Sequence, residues 1–205
     1  MRVVAKGARR PGAAFSGGLE AMTLGQMTAI VKPSGAMANL TSWDLREAFA
    51  GLRSSLRAFH ASMYIAEVAL RMVVDHDPHP SIFGALERAL GRVSGGEEGE
   101  IAAAVLEYQW GVLVDVGYRP RLSGGPEGSV GTFDPERGGL VEGGSGWKVR
   151  RETIELLRRL DAGEPSAGAG ATIDRASRLV GAYLRHLAGA EFWAGSAYFG
   201  PRQFP

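Results

Sequence analysis

The sequence predicts an α+β protein, with a short β-rich N-terminal region followed by an all-helical domain that carries a glycine-rich insert. Three observations predict it. β-Prone runs punctuated by Gly and Pro precede Trp43. Apolar residues then recur at helical spacing over most of the remaining chain. Between two such helical segments lies residues 117–146, GYRPRLSGGPEGSVGTFDPERGGLVEGGSG, with nine glycines from Gly124 to Gly146.

Each element has its own signal. Residues 2–6, RVVAK, form a short β-like run broken at Gly7. LEAMTLGQMTAIVK follows Gly18 and ends at the turn signal Lys32-Pro33-Ser34-Gly35. AMANLTSW fits a third strand leading into Ser42 as a candidate N-cap. Glycine turns between short strands suggest a small barrel or sheet, but three strands are too few to close one. From Trp43 the period changes. Leu45, Phe49, Leu52, Leu56, Phe59 and Met63 share one helical face, and the pattern runs through Val73 to the stop at Asp77-Pro78. Arg46, Arg53 and Arg57 fall on another side, read as a solvated face.

Further helices are expected at Ile82–Val93, Glu100–Val116, Val149–Leu160 and from Ile173 to a cap at Gly189. GEPSAGAG, Gly163–Gly170, reads as a flexible loop. The tail AEFWAGSAYFGPRQFP is expected to pack its aromatics on the helical core. Within the insert, Val130–Phe133 is expected as a short strand between glycine turns, held by packing alone.

Composition narrows the function classes. The apolar runs are interrupted by Arg, Asp or Gly, so no bilayer-spanning segment is expected, and MRVVAKGARRP lacks the apolar core of a secretory signal. The chain has no cysteine, which removes disulfides and thiolate metal sites and fits a cytoplasmic protein. The net charge of +1 conceals a division. Residues 1–60 hold eight Lys and Arg against three acidic residues, a balance of +5, and the remainder carries −4. Such a basic end attracts polyanions whatever the total charge.

No catalytic constellation stands out. His76 and His79 are spaced as in some metal sites, but Pro78 prevents a helical pair and no further Cys or His lies nearby. Ser123 and Ser145 lack a nucleophile motif, the glycines match no phosphate loop, and no carboxylates pair for acid–base work. The expectation is a protein that is not an enzyme, with no cofactor and no metal. Lys6, Arg9 and Arg10 are the strongest positive feature, a basic loop opened by Gly7 and closed by Pro11-Gly12. A loop of this kind at a strand end can lie along a phosphate backbone and release its counterions. Phe15 is the only aromatic close to it in sequence, which gives little support for base stacking.

Several runs, taken in order, resemble one family. These are VVAKGARRP followed by a glycine and a Leu-Glu strand, the Leu- and Arg-rich helix after residue 43, ASMYIAE, VLVDVGYRPRL, and YLRHLAG leading to the aromatic tail. In that order they resemble RecO, the bacterial recombination mediators. The resemblance implies that residues 1–42 are a partial oligonucleotide-binding (OB) barrel and residues 43–205 a helical domain with its insert at 121–146. It implies a DNA-binding mediator of DNA repair and homologous recombination in the bacterial cytoplasm at the nucleoid. Single- and double-stranded DNA, RecR and the acidic C-terminal tail of the single-strand DNA-binding protein are the implied partners, with strand annealing and recombinase loading as the implied actions. Carried over, the KGARR motif places Lys6, Arg9 and Arg10 on the DNA backbone, with Arg2 and Lys32 as further candidates by strand position and charge.

The chain departs from that pattern twice. The family barrel begins before the position matching Met1, so either the coding sequence extends upstream or a partner completes the sheet; the hazard of an open edge favours the former. The zinc-bearing members carry two Cys-x-x-Cys pairs, and the matching positions here are Gly125, Gly128, Glu142 and Ser145. The insert is therefore expected to be a degenerate zinc-type element without metal, since Glu142 alone cannot hold the ion. The alternative reading is a helical protein-interaction module whose basic N-terminus is incidental.

Overall fold

The computed structural model describes residues 3–8, 15–16, 19–31, 37–75, 77–124 and 128–200. The chain divides into two compact units, Met1–Ala50 with Asp75–Asp77, and Gly51–Val74 with Pro78–Pro205. Among the described residues there are six α-helices and two small sheets, an α+β architecture. No helix among them is long and apolar enough to cross a membrane.

The first unit is built on one long strand, β4 (Ala38–Glu47). Strand β3 (Leu24–Ile30) pairs antiparallel with it from Leu24↔Glu47 to Ile30↔Asn39. Strands β1 (Val3–Val4) and β2 (Phe15–Ser16) both pair parallel with β4, at Ala38–Asn39 and at Trp43–Asp44. Since β3 occupies one edge of β4 over this stretch, β1 and β2 share the other edge, one after the other. Register shifts at Leu24/Gly25 and Thr28/Ala29 mark bulges that bend the β3–β4 pair. Thr41 Oγ1 reaches the Thr28 carbonyl oxygen at 3.0 Å beside the second of them.

The helix expected from Trp43 is not there. Residues 43–47 stay in β4, where Trp43 and Leu45 alternate with exposed Asp44 and Arg46. That short alternation suits either period, and pairing with β3 decides for the strand. Phe49 adopts a left-handed φ of 43°, which no α-helix accommodates. A 3-10 turn at Ala50–Arg53 follows, and helix α1 (Leu56–Met72) begins only there. Its N-cap is Ser55, not Ser42, with the Ser55 hydroxyl accepting from Ala58 N–H at 3.0 Å.

The second unit is a helical bundle. Helix α2 (Pro80–Gly95) starts on a proline, and α3 (Glu98–Asp115) on a capping box of Glu97 and Glu100. Apolar residues line α3 nearly all round, so it is the central helix, packed by α1, by α2 and by α5 (Gly170–Ala188). Helix α4 (Arg151–Asp161) lies on α5 through Ile154, Leu156 and Leu157. Helix α6 (Trp193–Phe199) packs on α1, which buries Phe192 and Tyr198 of the aromatic tail, whereas Trp193, also expected to pack, is 78% exposed.

The insert is an antiparallel three-stranded sheet with β5 (Val130–Asp134) between β6 (Gly139–Val141) and β7 (Trp147–Arg150). It is not held by packing alone. The Arg121 carbonyl accepts from Leu140 N–H at 2.8 Å, and Asp134 Oδ1 accepts from the backbone of Glu136 and Arg137. The Arg158 guanidinium donates to the Leu122 carbonyl oxygen at 2.9 Å. Phe133, 2% exposed, stacks on Trp147 and meets Tyr183 of α5 edge-on at 5.2 Å. Val149, expected at a helix start, lies in β7, so α4 begins at Arg151 instead. The GEPSAGAG loop is also anchored. Ser166 is buried, and its backbone N–H and hydroxyl both donate to Glu107 Oε1, at 3.0 and 2.7 Å.

Candidate nucleic-acid interface

The basic cluster falls between two strands of the first unit. Val4 pairs with Asn39 and Phe15 with Trp43, so eleven steps of one strand answer four steps of the other. Four strand residues span about 13 Å. The stretch between the two pairings, residues 5–14, reads AKGARRPGAA, and the structure describes residues 5–8 of it. Lys6 is exposed there, in a turn where Gly7 takes a φ of 79°. The other expected contacts, Arg2, Arg9, Arg10 and Lys32, lie outside the described residues. Of the five, the structure therefore places only Lys6.

Trp43 closes the expected strand AMANLTSW, at the point where the sequence reading turned to a helix. Trp43 is flanked in register by Phe15 on β2 and Met27 on β3, which makes a row across three strands on one face. Phe15 and Trp43 are half-buried and Met27 is 46% exposed. A Cβ built at Gly25 would come within 2.3 Å of the Trp43 ring, so the indole lies against the bare backbone of β3. Asp44 and Arg46 point to the opposite face. There Arg46 is held by Asp44 at 3.1 Å and donates to Gln26 Oε1 at 2.7 Å. The signal for this row was the alternation Trp43-Asp44-Leu45-Arg46, visible but outweighed by the longer helical pattern.

The second unit contributes an arginine-rimmed apolar cleft lined by Tyr64, Gly181, Phe192 and Phe199, with Arg178 and Arg185 at its edge. Burial pushes the Tyr64 phenol well above its ordinary range, so it stays protonated. The Arg178 side chain donates to Asp174 Oδ2 at 2.8 Å and to the Phe199 carbonyl at 2.6 Å, while Arg185 reaches Glu191 at 3.4 Å. Arg57, read from sequence as solvated, is instead half-buried with its guanidinium 4.3 Å from the Tyr198 ring centre. Only their convergence from α1, α5 and α6 brings these residues together.

Metal ligation has little to draw on. Of the positions matching zinc ligands, Gly128, Glu142 and Ser145 are exposed and Gly125 lies outside the described residues. Among the described residues no group of three or more His, Asp or Glu is arranged to hold an ion. His76 lies outside the described residues, and His79 Nδ1 sits 2.6 Å from Asp115 Oδ2. Ser81 donates to the same carboxylate. These two bonds hold Asp115 below the usual carboxylate range, that of Ser81 first, and they tie the start of α2 to the end of α3.

A small β-sheet unit followed by a helical unit with a three-stranded insert defines a two-unit α+β protein. The family profile described as Recombination protein O C terminal matches residues 53–194. DNA repair protein RecO of Rhodopirellula baltica is 37% identical over 117 residues, 57% of this chain and 43% of the relative. The RecO proteins of Anaeromyxobacter sp. Fw109-5 and Myxococcus xanthus are 31% and 28% identical, each match covering 90% of this chain and 78% and 79% of the relative. The chain belongs to the RecO family of DNA repair proteins.

Proposed function

We propose that the protein is a non-enzymatic, DNA-binding mediator of repair and homologous recombination that anneals complementary strands and loads recombinase together with RecR. The observation that carries the DNA-binding part is the basic cluster Lys6, Arg9 and Arg10 in the sequence between β1 and β2, with Lys6 exposed in a turn. The first unit is read as part of an OB barrel, and the insert as a zinc-type hairpin element without its ligands. The protein would act in the bacterial cytoplasm, at the nucleoid. The arginine-rimmed cleft supports a second contact, with the acidic C-terminal tail of a single-strand DNA-binding protein. This same cleft is what favours the interaction-module reading should DNA binding fail.

Contacts made through the loop are electrostatic, so affinity for single- and double-stranded DNA should fall steeply with salt. Replacing Lys6, Arg9 and Arg10 with Ala is expected to weaken binding across all sequences. It should also flatten the slope of log affinity against log salt by about one per lost contact. A titration showing the wild-type slope in the triple variant would remove the loop from the interface.

A further inference from the structure

We infer that Glu191 is a built-in competitor for an acidic peptide at the cleft of α1, α5 and α6, because it holds Arg185, the rim cation that takes the peptide's carboxylate. The inference rests on the tail-binding reading of that cleft and adds which cation acts there and what restrains it.

The two rim arginines are unlike. Arg178 donates through Nε to Asp174 Oδ2 at 2.8 Å and through Nη2 to the Phe199 carbonyl oxygen at 2.6 Å. Its guanidinium also lies 5.3 Å from the Phe199 ring centre. Arg178 thereby satisfies a carbonyl at the end of α6 and ties that helix to α5, so a ligand that drew it away would orphan the helix end. Arg185 stands about two turns further along α5 and is far less committed. Among the described residues its one partner is Glu191, at 3.4 Å, and the Glu191 side chain is 65% exposed. A single contact so long and so open to water is weak and readily exchanged.

The chain between the two helices keeps that weak partner in place. Gly189 ends α5 in a left-handed conformation, and Phe192, 1% exposed, anchors the start of α6. Glu191 is held between these fixed points, with its carboxylate at the rim. The cleft offers an incoming carboxylate more than Glu191 has. Tyr64, Phe192 and Phe199 give it an apolar floor, and among the described residues Arg178 and Arg185 are the only charged groups that line it. An ion pair beside such a floor is less screened than one in water, and a guanidinium can take both oxygens of a carboxylate at once. Binding therefore exchanges one carboxylate for another at Arg185, and the charge on Glu191 sets the affinity.

The test titrates the intact chain, by fluorescence anisotropy, with a labelled peptide of consecutive aspartates ending in Phe with a free C-terminus. Glu191→Gln keeps the size of the side chain and removes its charge, and affinity should rise about two- to fivefold. Arg185→Ala should weaken binding about tenfold or more. In the Arg185→Ala background Glu191→Gln should bring no gain, because the competitor then has no cation to withhold. A gain that persists without Arg185 comes from net charge alone and overturns the inference. Wild-type affinity in Glu191→Gln overturns it as well, and leaves the tail-binding reading standing. Failure of both the wild type and Glu191→Gln to bind the peptide overturns the two together. Should Arg185→Ala fail to fold, Glu155→Gln on α4 serves as the charge-matched control: a gain equal to that of Glu191→Gln overturns the inference, and its absence supports it.

Discussion

Gln109 is fully buried in α3, and its carboxamide joins three helices. Its nitrogen donates to the Tyr64 hydroxyl at 2.6 Å and to the Ser177 carbonyl at 3.1 Å, while its oxygen accepts from the Ser177 hydroxyl at 2.8 Å. Buried polar groups matched in this way contribute little net stability but are costly to orphan. Ser177→Ala should therefore lower the unfolding free energy by about 1–3 kcal/mol in a denaturant titration. Glu107 makes a pH-dependent contribution. Burial alone would raise its pKa, but the two hydrogen bonds from Ser166 and the nearby Arg92 outweigh burial and bring it below 4.5. A carboxylate lowered in the folded state adds stability above 4.5 that is lost as pH falls through the lower folded value. Ser166→Ala is thus expected to cost about 1 kcal/mol near neutrality and distinctly less in acid, as paired denaturation curves would show. Residues such as Gln109 and Ser177 lie 68 positions apart, and their partnership has no local signature.

At the scale of elements, α6 shows how a short helix is stabilised by a distant one. Glu67 of α1 accepts from the backbone N–H groups of Trp193 at 3.0 Å and Ala194 at 2.8 Å, so a carboxylate from another helix caps its first turn. Glu67→Ala should fray α6 and raise amide exchange across its first turn about fivefold, measured by hydrogen–deuterium exchange. Helices with long apolar periods, α2, α3 and α5, were legible to within a few residues of their ends. Gly189 takes the left-handed cap its position announced. The starts of α1 and α4 were not legible, because in each case a strand takes up the residues expected to open the helix, β7 running straight into α4 and β4 reaching α1 through the 3-10 turn. Trp43 and Leu45, like Trp147 and Val149, satisfy a two-residue and a helical period alike over so short a window. Only the pairing strands β3 and β5 choose between them. The glycines of the insert, read as turns, also permit close approach. A Cβ on Gly139 would meet the Arg121 carbonyl oxygen at 2.5 Å, where the strand crosses the chain leading into the insert.

For the whole molecule, the order of a β-rich region before a helical domain, the basic N-terminal balance and the glycine-rich insert were all determined by the sequence. Each rests on something local: composition, charge, or periodicity within one segment. The candidate DNA contacts were legible as a cluster of like charges, of which the structure places Lys6, exposed in a turn. What only the tertiary structure decided are the relations between segments far apart in the chain. Two short parallel pairings set β1 and β2 along β4, register brings Phe15, Trp43 and Met27 into one row, and convergence of α1, α5 and α6 gathers Tyr64, Arg178, Arg185 and Phe199 about one cleft. The physical reason is that side-chain identity specifies which faces have to be buried, whereas the choice of partner is made by strand register and helix packing, which depend on the whole chain at once.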